Sequence, residues 1–393
     1  MINQIDKEVS MNKILKKILI ITGVALSVVV LFAGGYVGYV YFSYSRIGDK
    51  KLDIDSKVTK PSLSTNEEYK ALSYNIGFGA YSQDFTFFMD EGYDENGEKT
   101  CGHYGKAKSK EEVEFNINGA IKAVKDENPD FICLQEVDTN SDRSHHINQD
   151  ELFTKNFEEY DHTHCVNFNS SFFPVPLYDM HGASKSGMTT YSKVKINQAN
   201  RVEYTISDSF SKFFDLDRCF SYHVMDVENG KKFYLVNSHM SAYDEGGVIR
   251  AKQLKQLNDF LESVKGEYVV ICGDYNHDLL TFNPDYSYNK ENRPYNATLR
   301  NPDWLNDFFN DKGESPLIDG YKVVCSDNSP SCRNNDIEWI QDKTFVCTVD
   351  GFIISENIEV VEHHTILTKD GNKHLDGFAY SDHEPTEMTF RLK

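Results

Sequence analysis

Four short, mostly apolar runs, each ending on a group able to hold a metal or move a proton, constrain this chain more than any other feature. Residues 268–272 are apolar without a break; Gly273 stops the run, and Asp274 and Asn276 follow. Such a run reads as a strand buried on both faces. Residues 131–134 lead into Gln135 and Glu136, residues 233–236 into Asn237, Ser238 and His239, and residues 71–74 into Asn75. In open α/β sheets, chemistry gathers just beyond the ends of strands. A carboxylate there is costly unless it meets a cation or a hydrogen-bond partner. One such end is an ordinary Asx turn; four suggest a single rim where sheet ends converge.

Residues 18–44 carry no charge. About 20 apolar residues suffice to cross a bilayer, and a signal-peptide core is shorter, roughly 7–15 residues. Tyr36, Tyr39, Tyr41, Phe42 and Tyr44 resemble an aromatic belt at one membrane face. We read residues 18–44 as a single-pass transmembrane anchor, with cleavage near Ala33-Gly34-Gly35 and secretion as the alternative. Lys13, Lys16 and Lys17 favour a cytoplasmic segment 1–17, which leaves the globular part outside the cell. Residues 45–66 are polar and read as a stalk. The folded domain is expected over 67–393.

The formal net charge is −20 and the pI about 5.1. This disfavours a protein that coats long nucleic acid, which needs clustered Lys and Arg, while leaving room for a nuclease with a small contact surface. Ser109 and Glu112 form a capping box. Val113, Ile117, Ala120, Ile121 and Val124 then make one helical face, which Asn128-Pro129 ends. A second helix is expected over 248–264, joining His239 to the Asp274 strand. Further strands are expected at 187–191, 219–227, 351–354 and 387–392, which makes the fold class α/β. Phe85, Phe87, Phe88 and Met89 form a satellite core or a lip that touches lipid.

Of the eight cysteines, Cys133 and Cys272 read as buried thiols. Cys325 and Cys332 bracket a polar loop and are candidates for a local disulfide. His145-His146, His363-His364, His162 and His164 carry no metal spacing joined to a carboxylate set and read as surface or strand-face residues. Tyr178 is a candidate for the lining of a cleft. Asn169-Ser-Ser and Asn296-Ala-Thr are glycosylation sequons.

The order of motifs carries a resemblance. Tyr-Asn75-Ile, Leu-Gln-Glu136-Val, Asn-Ser-His239-Met-Ser, Gly-Asp274-Tyr-Asn276, Val-Asp350-Gly-Phe-Ile and Ser-Asp382-His383-Glu-Pro together resemble the endonuclease/exonuclease/phosphatase superfamily, over residues 67–393. The resemblance implies a DNase I-like four-layer α/β sandwich, two mixed β-sheets flanked by helices. It also implies Mg²⁺-dependent phosphoester hydrolysis, with Mn²⁺ as a substitute. Glu136, with Asn75 and Asp382, is then the expected metal set. The expected catalytic set is His383 oriented by Asp350, with Asp274, Asn276 and His239; which of Asp274 and His383 is the base stays open. Asn276, His239 and Arg218 are the expected phosphate-binding residues. A membrane-anchored enzyme acting on a phospholipid headgroup or small phosphoester is the leading expectation. An extracellular nuclease, and a non-catalytic binding module that keeps the fold, are the alternatives.

Overall fold

The longest apolar run becomes a helix. In the computed structural model, α1 spans Ile2–Ser43. Lys13–Ser43 contains an 18-residue window of mean hydropathy 2.5 and is long and apolar enough to cross a membrane, a test that a signal sequence also passes. The structure describes residues 2–213, 215–242, 247–288, 293, 295, 299–326, 328–370 and 376–393. The chain divides into two units, 1–45 and 46–393. The sequon at Asn296 lies outside the described residues.

Along the second unit come β1 (Lys50–Lys51), β2 (Ser62–Leu63), β3 (Glu68–Asn75), α2 (Lys110–Glu127), β4 (Phe131–Asp138), β5 (Asp161–Phe173), β6 (Gly182–Ser192), β7 (Gln198–Glu203), β8 (Cys219–Val227), β9 (Lys232–His239), α3 (Val248–Ser263), β10 (Tyr268–Asp274), β11 (Tyr321–Val324), β12 (Cys332–Arg333), β13 (Val346–Cys347), β14 (Asp350–Ser355), β15 (Ile358–Thr365) and β16 (Thr386–Leu392). One sheet has the order β1-β7-β8-β9-β10-β14-β11, with β2 beside β8. The other has the order β15-β16-β3-β4-β6-β5. Both are mixed: β9 runs parallel to β10 and β3 parallel to β4, while β10 and β14 pair antiparallel.

Alternation along the strands builds the layers. Ala71, Phe131, Cys133, Met388 and Phe390 of one sheet pack against Met225, Phe233, Leu235, Val270 and Cys272 of the other. The opposite faces are covered by helices. Leu72, Tyr74 and Leu134 meet Val113, Ile117 and Val124 of α2. Val236, Val269 and Ile271 meet Leu254, Leu257 and Leu261 of α3. The result is the expected four-layer α/β/β/α sandwich. Ser109 caps α2, its hydroxyl accepting from the Glu112 N–H at 3.1 Å. Asn128, with φ +49°, ends it.

The segment expected as a stalk is part of the sandwich. Lys50 and Lys51 pair with Arg201 and Asn200, and Ser62 and Leu63 with Asp226 and Val227. Leu52 and Leu63 belong to the core between the sheets. Two isolated leucines in a charged stretch give no periodicity, so composition pointed the wrong way. Of the two readings for the insertion after β3, Phe85 and Phe87 take the core one, while Met89 stays 44% exposed.

Candidate active site

Register sets the site. His239 at the end of β9 lies level with Asp274 at the end of β10. Asp274 in turn lies level with Asp350 at the start of β14. In the facing sheet Asn75 ends β3 level with Gln135, and Glu136 follows one residue on. Arg218 stands immediately before β8, and Asp382 and His383 stand just before β16. Strand ends from both sheets therefore meet at one rim. Beneath it the sheets are tied by a polar seam: the Gln135 amide donates to Asn237 at 2.8 Å, and the Asn237 amide donates to Leu134 O and Thr189 O. Buried polar groups that find partners in this way hold the two sheets in one arrangement.

Two of the rim residues hold unusual backbone. Glu136 has φ +56° and Asn276 has φ +50°. Glu136 sits in a bulge, where the β4–β6 register shifts between Leu134 and Val137. Left-handed backbone at a non-glycine residue costs on the order of 1 kcal/mol or more and persists only where the surroundings impose it. The bulge turns Glu136 out of the strand's alternation and into the cavity.

His383 Nδ1 lies 2.7 Å from Asp350 Oδ2, and its Nε2 lies 3.8 Å from Asp274 Oδ2. Burial alone would lower the His383 pKa, but the charges of Asp350, Asp274 and Asp382 outweigh it and hold it well above the ordinary imidazole value. Asp274 accepts from the Asn75 amide at 3.0 Å and from the Asn276 N–H at 2.9 Å. Burial pushes its carboxyl up to about 6, with the His383 charge opposing and Asp350 adding to the rise. His239 Nε2 is 3.4 Å from Asp274. Burial, with the nearby charge of Arg218, keeps His239 neutral, well below its usual range. The Asn276 amide donates to Met240 O at 3.0 Å.

Glu136 receives the Asn75 amide at 3.4 Å. Burial, added to by the charge of Asp382, raises the Glu136 carboxyl, while Arg143 and Arg218 pull it down. Glu136, Asp382, Asp274, His239, His383 and Arg218 all line one cavity of about 310 Å³. Arg218 is buried, 3.8 Å from Asp215, and its Nε and Nη1 meet no acceptor among the described residues. The far wall of the cavity is aromatic, with Phe78, Tyr81, Phe87, Phe168 and Phe173. Asp274, Asp350 and His383 also present atoms within 4.8 Å of one another, close enough for a metal ion. The 2.7 Å contact between Asp350 and His383 Nδ1 is the length of a charge-assisted hydrogen bond, so a proton bridges that pair.

A family model described as the Endonuclease/Exonuclease/phosphatase family matches residues 113–383. The chain belongs to that family. The family fold is also seen in solved structures. TDP2 from D. rerio, complexed with a single-strand DNA product, is 13% identical with a TM-score of 0.50, covering 83% of this chain and 100% of that one. An endonuclease/exonuclease/phosphatase from Beutenbergia cavernae is 14% identical with a TM-score of 0.51, covering 83% and 72%. ANGEL2, a 2',3'-cyclic phosphatase in complex with adenosine-2',3'-vanadate, is 14% identical with a TM-score of 0.50, covering 87% and 99%. At this identity they share the fold alone. No curated protein matches the sequence.

Every residue expected at the family site lies at the rim or bonded to it. Several others there were not foreseen. Arg143 lines the cavity, tied to Asp138 at 2.8 and 3.0 Å, with its guanidinium 3.9 Å from the Phe78 ring. Arg333 and Asn335 line it too, and Asn335 donates to Asp382 at 2.9 Å. They come from a polar stretch of sequence with no periodic signal. Neither Cys332 nor Cys325 is in a disulfide, so the candidate bridge is not formed. Cys332 instead pairs in register with Cys347 and turns its sulfur to within 3.6 Å of His383 Nε2. Tyr178 is 65% exposed and stacks on His103 rather than lining the cavity. His364 does join a carboxylate set, with Glu127 and Glu387. Lys70 already sits there, 3.0 Å from Glu387 and 3.6 Å from Glu127. His162 and His164 lie 3.2 and 3.5 Å from the single carboxylate of Asp150.

Proposed function

We propose that this chain is a membrane-anchored phosphoesterase that needs a divalent metal. The observation that carries the reading is the convergence of the Asp350–His383 pair, Asp274 and Glu136 on one cavity, although 247 positions separate Glu136 from His383 in the chain (383 − 136). Attack by water on phosphorus needs a proton acceptor, donors for the phosphoryl oxygens and a proton for the leaving oxygen. Asp274 takes the first role: it is an acceptor held from two sides by Asn75 and Asn276. Arg218, His239 and Asn276 supply donors around the phosphoryl group. Asp350 occupies Nδ1 of His383, so Nε2 is the nitrogen left to face substrate. A proton there, favoured by the carboxylates around it, passes to the leaving oxygen as the ester bond breaks.

The donor set fits a hard cation. Glu136 and Asp382 are carboxylates on the cavity wall, and Asn75 adds an amide. Oxygen ligands of this kind, few in number, suit Mg²⁺, with Mn²⁺ as a substitute. When bound, the ion supplies Lewis-acid polarisation of a phosphoryl oxygen.

A cavity of about 310 Å³ with an aromatic wall, in a chain of net charge −20, suits a phospholipid headgroup or small phosphoester better than long nucleic acid. The span Lys13–Ser43 acts as the anchor, with the catalytic unit on the outer side of the membrane. The test incubates full-length protein with Mg²⁺ and phospholipid vesicles, a chromogenic phosphodiester or plasmid DNA. Headgroup release or chromogenic turnover, abolished by chelation and by His383→Ala, is the expected result. Plasmid nicking alone would assign a nuclease, and no turnover of any of the three would leave a binding module.

A further inference from the structure

The cavity contains a further cationic group that the proposed hydrolysis leaves unused. Arg333 lies in the short β12 strand and lines the cavity, yet is only 1% exposed. Its backbone N–H donates to Asp382 O at 2.9 Å, which fixes the strand beside the catalytic turn. One arm of the guanidinium, Nη2, donates to Ser82 O at 3.1 Å and to Phe85 O at 3.3 Å. The other nitrogens, Nε and Nη1, meet no acceptor among the described residues. A buried guanidinium whose Nε and Nη1 donors are all unpaired is costly. Arg143, on the same cavity, shows the satisfied alternative, held in a two-point ion pair with Asp138.

Arg333 and Arg218 act on different groups of the site. The charge of Arg218 acts on Glu136 and His239. The charge of Arg333 is met by those of Asp382 and Asp90, and its Nη2 holds the aromatic loop. A single phosphoryl group engaged by Arg218, His239 and Asn276 leaves the donors of Arg333 unanswered. The free Nε–H and Nη1–H groups lie on different edges of the guanidinium, so each is left to donate singly to an anionic oxygen.

We infer that Arg333 is a recognition site for a second anionic group of the substrate, so that the preferred substrates carry two negative groups, such as two phosphates, one scissile and one held. This rests on the phosphoesterase reading for the scissile group only. Binding is therefore measured apart from turnover, by titration calorimetry on full-length protein at fixed free Mg²⁺. The two probes are inorganic phosphate and methylenediphosphonate. The native protein is expected to bind the diphosphonate at least about tenfold more tightly than phosphate, the scale of one charge-assisted contact. Arg333→Gln should bring that ratio close to one, and Arg333→Lys should keep part of it. A native ratio near one overturns the inference. So does a variant that weakens both ligands equally, because Arg333 would then serve the scissile group or the fold. Should the ratio behave as expected while no phosphoester is turned over, the two-anion site stands and the hydrolase reading falls.

Discussion

At the scale of single residues, charge and burial do most of the work. The imidazole of His383 depends on Asp350 for its tautomer and its proton. Asp350→Asn keeps the shape and removes the charge, and kcat should fall roughly 10²- to 10⁴-fold with little change in KM, measured by steady-state turnover. A different set of histidines governs stability. His181, His223 and His277 are each held down at about 4 by burial. Between the ordinary value near 6.5 and about 4, the unfolded chain takes up protons that the folded chain refuses. Stability should therefore fall as pH drops through that window, by about 1.4 kcal/mol per unit for each such histidine, and level off below it. Urea titrations across pH would show the slope. His223, in the middle of β8 and buried between Thr163 and Leu235 O, is the one to remove: His223→Gln should take one histidine's share of that slope away.

Elements explain how the site is kept in place. Gly119 lies in α2, where a methyl group would stand 2.2 Å from the ring of Tyr380. That ring packs edge-on against Phe115, and its hydroxyl donates to Lys369 O at 2.8 Å. Glycine to alanine inside a helix ordinarily stabilises, by up to about 1 kcal/mol. Gly119→Ala should instead destabilise by about 1–3 kcal/mol through overpacking, read as a lowered melting temperature. It should also lower kcat, since Tyr380 leads directly into Asp382 and His383. The strands were legible because periodicity and strand-end chemistry are local: the ends at Asn75, Glu136, His239 and Asp274 announced themselves. Arg333, Asn335 and Cys332 did not, because only pairing across distant segments brings them to the rim. The 50–63 segment misled for a related reason, since its two buried leucines are surrounded by charge.

The whole molecule sets an acidic chain around a cavity whose arginines are positive. Net charge −20 repels a long polyanion, while under the proposed function a small anionic ester would meet Arg218 and Arg333 at close range, where solvent screens little. The unit 46–393 has its own core between two sheets. A chain beginning at Arg46 should therefore leave the membrane fraction on cell fractionation and turn over a soluble phosphodiester at a rate within about threefold of the full protein. A large loss of that activity would show that the apolar helix does more than tether. The backbone twist at Glu136 carries a warning for anyone who engineers this enzyme. Glycine would relax the position and remove an acid that dislikes its surroundings, so a heat-tolerance selection blind to turnover should enrich Glu136→Gly and deliver sturdy, inert protein.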